Sequence, residues 1–226
     1  MDLPLTILRP LLRSRTVWKL SGLTYASAVA ATRGRFASAQ DYLGESEQQM
    51  EPLIPYLRGA RVLEFGCGLG GNLTSMTNLI NAGLGVDVNA GYIRIARKIA
   101  DKCGAGNVAF KVYNGKSLFP LGSFDFVFSV GVFERLPKPL VESYVTDLTG
   151  SVLSSGHLGL YFLMQRALGT TFTRWLGDSA YTFWTEPEVV RLLHSCGLQP
   201  TEKIDWGHFA DFWICQRQDG RGRSET

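Results

Sequence analysis

Only four cysteines and three histidines occur in the 226 residues. Cys67, Cys103, Cys196 and Cys215 fall at no short paired spacing, so neither a structural zinc site nor a disulfide framework is expected, and no metal ligands are assigned. No uninterrupted apolar run approaches the roughly 18 residues of a membrane-spanning helix. Acids are nearly missing at the start. Across the first 40 residues Asp2 alone faces Arg9, Arg13, Arg15, Lys19, Arg33 and Arg35, a local charge of +5 that leaves −2 on the remainder. Such a section suits a transit peptide, a membrane-surface contact or a helical cap over the domain. Pro10 interrupts its amphipathic stretch and favours the cap. The body of the chain also lacks a basic patch interleaved with aromatics, which counts against a nucleic-acid partner. With 45% apolar and 19% charged residues, the chain has an ordinary globular composition and the length for one large core. The cytoplasm is the expected compartment, and nothing in the sequence fixes an oligomeric state.

What is present is alternation. Residues 60–65 (ARVLEF), 84–88 (LGVDV), 108–113 (VAFKVY) and 124–130 (FDFVFSV) read as short buried strands. Helices are expected over 70–82, 90–103 and 139–150; the last places Val141, Tyr144, Val145 and Leu148 on one face. A strand follows at 157–163. Thr185 and Glu188 form a capping-box pattern ahead of "VVRLLHSC", with Gly197 as the stop, and two strand-like runs close the pattern near 199–206 and 209–216. Ser46 and Gln49 suggest a further capping box. The expected organisation is a basic extension over 1–44, one domain over 45–217 and a disordered tail over 218–226.

Alternating strands and helices imply a mostly parallel sheet whose ligands lie at the carboxyl ends of its strands. One such end carries "VLEFGCGLGGN", residues 62–72. Gly66, Gly68 and Gly71 satisfy G-x-G-x-x-G, and Asp87 ends the next strand 21 residues after Gly66. That distance places a carboxylate where it can accept from both hydroxyls of a ribose. The turn admits a dinucleotide, a nucleoside or a bare tight bend, and the strand-end acid favours a nucleoside.

The phrase "VLEFGCGLG" resembles the first motif of class I S-adenosylmethionine-dependent methyltransferases. "GVDVN" resembles their second-strand acid, "VYNGKSLFPLGSFDFVFSVGVFERLP" their third and fourth strands, and "TFWTEPEVVRLLHSCGL" their late helix. The likeness covers roughly residues 45 to 217. It implies a Rossmann-like, doubly wound α/β fold: a mostly parallel seven-stranded sheet with an antiparallel last strand. It also implies S-adenosylmethionine as cofactor. Gly66, Cys67 and Gly68 would face the methionine portion, Asp87 with neighbouring Val88 the ribose, and Asn114 and Gly115 the adenine edge. Ser129 and Val130 would offer backbone after the fourth strand. S-adenosylmethionine has no pyrophosphate and needs no full phosphate cradle, and Glu64 supplies negative charge for its ammonium. A dehydrogenase would need a second mononucleotide-binding half, for which no second glycine turn exists.

The same resemblance thins out the chemistry. "SVGV" replaces the Pro-Pro-aromatic run of enzymes that methylate base amines, and Ser129 stands where metal-assisted relatives place an acid. Many relatives carry His after "VFE"; Arg135 stands there, which leaves Glu134 and His208 as candidate catalytic residues. Tyr42, Arg135, Trp175 and Tyr181 are the candidates for acceptor binding, the last two from an insert at 165–184 rich in aromatics with arginines. The expected function is methyl transfer to a small-molecule acceptor: a natural product, sugar or lipid-linked metabolite. Arg135 sustains the alternative of a catalytically inactive module that binds the nucleoside or a partner protein.

Overall fold

A computed structural model describes residues 39–114, 121–165, 181–207 and 209–218. Of the candidate residues, Gly115, Trp175 and His208 lie outside the described residues, as does the basic section before residue 39. The chain divides near residue 116 into two compact units.

In the first unit, helix α1 (Ala39–Met50), a 3-10 turn (Glu51–Leu53) and the single turn α2 (Ile54–Leu57) lead into strand β1 (Arg61–Phe65). Then come α3 (Gly71–Ser75), β2 (Ala82–Asp87), α4 (Ala90–Lys102) and β3 (Val108–Val112). Strand β2 is central and parallel to both neighbours, with Leu63 opposite Leu84 and Asp87 opposite Val112. In β1 every residue after Arg61 is buried, as expected for a parallel strand covered on both faces. Helix α4 turns Ile93, Ala96 and Ala100 inward. The Phe110 ring lies where a Cβ on Gly85 would come within 2.6 Å and one on Gly70 within 2.5 Å, so these two glycines let an aromatic ring seat against backbone.

Two local expectations need correction here. Ser46 does not start a helix; it is a buried residue inside α1. The helix expected over 70–82 stops at Ser75. The physical reason is a competing tertiary anchor: Asn107 Nδ2 donates to the carbonyls of Thr77 (2.9 Å) and Ile80 (3.0 Å), and its Oδ1 accepts from Thr77 Oγ1. These bonds hold 76–81 in turns and let β2 begin at Ala82.

The second unit contains β4 (Phe124–Ser129), a 3-10 turn (Phe133–Arg135), α5 (Lys138–Ser151) and β5 (Val152–Leu163). It continues with α6 (Glu186–Ser195), β6 (Leu198–Gly207) and β7 (Ala210–Arg217). Helix α5 buries Val141, Tyr144, Val145 and Leu148, the face its spacing implies. Thr185 and Glu188 form the expected capping box on α6, and Gly197 ends that helix at φ +72°. The core gathers Phe126, Phe128, Leu158, Leu160, Phe162, Phe212 and Ile214. Each such side chain contributes about 1.5–3 kcal/mol by leaving water. Strands β4 and β5 are parallel, whereas β7 runs antiparallel to β5 on one side and β6 on the other.

The strand order in the seven-stranded sheet is β3-β2-β1-β4-β5-β7-β6. This is the Rossmann-like, mostly parallel architecture expected from the sequence, with the last strand antiparallel. Among the described residues no helix is long and apolar enough to cross a membrane.

Candidate functional site

The first unit collects its polar side chains at the carboxyl ends of β1 and β2. A parallel strand pair leaves its last carbonyl free to anchor a turn, and Val86 O accepts from both Gly66 N (2.8 Å) and Cys67 N (3.0 Å). Gly66 and Gly68 take φ +78° and +53°, values that a side chain would strain. Gly70 N closes the turn on Cys67 O at 2.8 Å, and Gly68 N donates to Asp87 Oδ2 at 3.0 Å. The backbone donors of Gly66, Cys67, Gly68 and Gly70 are therefore consumed within the protein. A phosphate-binding glycine turn needs such donors free and pointing at the anion. This turn offers close approach instead: a Cβ at Gly68 would meet nothing within 4 Å.

Asp87 is the hub. Its Oδ1 accepts from Asn89 N at 2.8 Å and its Oδ2 from Gly68 N. Val88 N is a third backbone donor acting on the carboxylate, and the remaining lone-pair capacity can accept from a ribose. Burial raises the Asp87 pKa against the opposing pull of the backbone donors. Val88 beside it is half-buried, and Asn114, exposed, follows β3. Asn89, which sequence reasoning passed over, caps α4 by accepting from Gly91 N (2.8 Å) and Tyr92 N (3.3 Å). Its signal was legible: Asn immediately ahead of a helical pattern, two residues after the strand-end acid.

Glu64 lies at the end of β1 with 2% of its surface exposed. Asn72 Nδ2 donates to Oε1 at 2.7 Å, while Oε2 is buried without a partner among the described residues. Burial pushes the carboxyl up to about 8; the Asn72 bond pulls down and the Asp87 charge adds to the rise. A buried carboxylate oxygen with no donor fits a cation brought by a ligand. Cys67 is buried too, and burial together with the Glu64 and Asp87 charges drives its pKa well up, so it is a packed thiol rather than a nucleophile. Asn72, like Asn89, was not singled out in the sequence; it lay inside the helix expected over 70–82.

The second unit carries its own polar cluster beyond β4. Ser129 is buried at the strand end and Val130 half-buried after it. Gly131, at φ +71°, turns the chain into the Phe133–Arg135 segment. Glu134 is 5% exposed; Oε1 lies 3.4 Å from Arg135 Nε, and Oε2 has no partner among the described residues. Burial raises its pKa, opposed by its own backbone N–H and the Arg135 charge. The Arg135 guanidinium lies 5.5 Å from the ring centre of Tyr181. Thr182 fixes that strand of chain, its N donating to Glu134 O at 2.6 Å and its Oγ1 to Leu136 O at 2.7 Å. The Tyr161 hydroxyl is pushed up to about 12 by burial and by nearby Glu134, with Arg135 opposing. The structure thus brings Glu134, Arg135 and Tyr181 together, and adds Tyr161. Tyr42 falls within α1.

Comparison with known proteins places this arrangement. Residues 62–156 match the family described as the methyltransferase domain. That match spans less than half of the chain and stands as a likeness to methyltransferase domains, beside the Rossmann-like sheet described above. A ubiquinone biosynthesis O-methyltransferase from Dinoroseobacter shibae is 28% identical over 159 residues, covering 65% of this chain and 62% of the relative. The match therefore spans less than two thirds of that relative's length. A Ruegeria protein of the same name is 28% identical over 173 residues, covering 71% and 68%. Among solved structures, magnesium protoporphyrin IX methyltransferase from Synechocystis, with bound S-adenosylhomocysteine, superposes with a TM-score of 0.70 at 16% identity. That alignment covers 90% of this chain and 100% of the other, and at this identity it is a likeness of fold.

Proposed function

We propose that this protein transfers a methyl group from S-adenosylmethionine to a hydroxyl of a small-molecule acceptor. The observation that carries the reading is the unpartnered Glu64 Oε2 in a site where Asp87 keeps lone-pair capacity for a ribose and the turn's named N–H groups are already spent. A dinucleotide pyrophosphate would find those donors taken, whereas a nucleoside with an ammonium would meet an acceptor for its ribose hydroxyls in Asp87 and for its ammonium in Glu64. The bound nucleoside supplies a methyl group on a positively charged sulfur. On this reading Asp87 holds the ribose, and Glu64 receives the ammonium. Gly66, Cys67 and Gly68 let the methionine arm lie on backbone. Val88 and Asn114 extend this cofactor surface within the first unit; Gly115, Ser129 and Val130 are assigned to the cofactor by the methyltransferase resemblance alone.

For the acceptor, the reading uses Glu134, Arg135 and Tyr181, with Tyr42, Trp175 and His208 as further contributors. Glu134 Oε2 accepts the hydroxyl proton, Arg135 faces negative charge on the acceptor, and the Tyr181 ring supports a flat apolar part. The two sequence relatives, both named O-methyltransferases of ubiquinone biosynthesis, support an oxygen atom as the methyl acceptor. Calorimetry with S-adenosylhomocysteine and with NAD tests the first half: the sulfur nucleoside should bind and NAD should not. The second half is tested by S-adenosylhomocysteine release across a panel of hydroxylated aromatic and anionic acceptors. Once an acceptor is found, Glu134→Gln should lower turnover by about 100-fold or more, the lower end of what a positioned base contributes. Cofactor binding with no turnover on any hydroxyl acceptor would leave a binding module instead.

A further inference from the structure

The Glu64 carboxylate is used asymmetrically. Asn72 Nδ2 occupies Oε1 at 2.7 Å, and Oε2 is left buried and bare among the described residues. Asn72 is itself held from a fixed anchor, because its carbonyl accepts from Met76 N (3.2 Å) and Ser75 Oγ (2.9 Å). A carboxylate with one oxygen pinned in this way cannot rotate to present another edge. The titratable groups acting on it are Asp87 from β2 and the Cys67 thiol from the glycine turn. The thiol stays neutral and the Asp87 charge is negative, so no described cation balances Glu64, and a cation is the partner the site lacks.

Resting on the nucleoside reading above, we propose that Asn72 is a positioning residue for the cofactor: by holding Glu64 Oε1 it aims Oε2 at the ammonium of the ligand's amino-acid arm. The assignment has a proton consequence. Without ligand, burial keeps Glu64 protonated up to about pH 8. Binding an ammonium below that pH displaces the proton, so affinity climbs as pH rises towards 8. The Asn72 hydrogen bond lowers the carboxyl's pKa. Its removal therefore moves the climb to higher pH.

The test is calorimetric titration from pH 6 to 9 with two ligands: S-adenosylhomocysteine, and 5′-methylthioadenosine, which keeps the nucleoside and thioether but has no amino-acid arm. Asn72→Ala should weaken S-adenosylhomocysteine by about tenfold, the scale of a lost hydrogen bond to a charged group. The midpoint of its pH dependence should also move upward. Affinity for 5′-methylthioadenosine should stay as in the wild type. Equal losses for both ligands, or an unchanged affinity and midpoint for S-adenosylhomocysteine, would overturn the assignment. Asn72→Ser, polar and well suited to a helix's first turn, replaces the alanine variant if that one does not fold. Wild-type protein that binds neither ligand would overturn the nucleoside reading itself, a failure distinct from that of Asn72.

Discussion

At the scale of single residues, acids held away from water dominate the behaviour of this protein. Asp87 is the most direct case. Replacing it with alanine removes the acceptor for Gly68 N and Asn89 N, and with them the acceptor proposed for the ribose. Hydrogen bonds to a charged group contribute about 1.5–3 kcal/mol each, so Asp87→Ala should weaken S-adenosylhomocysteine by roughly tenfold or more in a calorimetric titration. Glu64 makes a different prediction, about stability. Its folded pKa, about 8, lies above its ordinary 4.5. Between those values the folded chain holds a proton that the unfolded chain has released, so stability falls as pH rises from 4.5 to 8 and levels above it. One such group contributes a slope of at most about 1.4 kcal/mol per pH unit. Urea unfolding of the ligand-free protein at pH 6, 7 and 8 should therefore show declining stability, and Glu64→Gln should flatten the decline. An identical slope in the variant would contradict a protonated Glu64.

At the scale of elements, the ends of α6 were legible because capping is local chemistry. Thr185 N donates to Glu188 Oε2 at 2.8 Å, and Pro187 sits in the first turn, where its missing N–H costs nothing. Thr185→Ala should cost about 1 kcal/mol of stability, read as a lower urea midpoint with S-adenosylhomocysteine affinity unchanged. Buried parallel strands were legible for a similar reason, since a short apolar run closed by a strand-end acid has few alternatives. The helix after the glycine turn was not, and the fault lies with distance. Asn107, some thirty residues from Thr77, takes the backbone of 76–81 for itself, and no local pattern in "MTNLIN" announces that. The candidate site divides in the same way. Gly66, Gly68 and Asp87 were singled out by spacing along the chain, and Glu64 through the methyltransferase resemblance. The roles of Asn72, Asn89 and Tyr161 appear only once the elements bring partners together.

At the scale of the whole molecule, the +5 charge of the first 40 residues is carried by side chains that precede every described element. The glycine turn and its strand-end acids lie after β1 begins at Arg61, so the proposed cofactor residues are all downstream of this section. If the basic section caps the acceptor site, its deletion should leave S-adenosylhomocysteine affinity within about twofold and sharply reduce methylation of a verified acceptor. Full activity of the truncated protein would exclude the cap. Binding of the intact protein to anionic vesicles at low salt, lost as salt shortens the ~10 Å screening length of 0.1 M, would point to a membrane-surface role. The placement of β7 bears on how the protein is made. It is the last described strand to be synthesised, yet it lies between β5 and β6. Until Ala210–Arg217 has left the ribosome, β6 has no strand to pair with and β5 keeps an open flank. The nascent chain thus carries two unpaired edges until its closing residues emerge, and premature termination before residue 210 should yield an aggregation-prone fragment rather than a smaller folded protein.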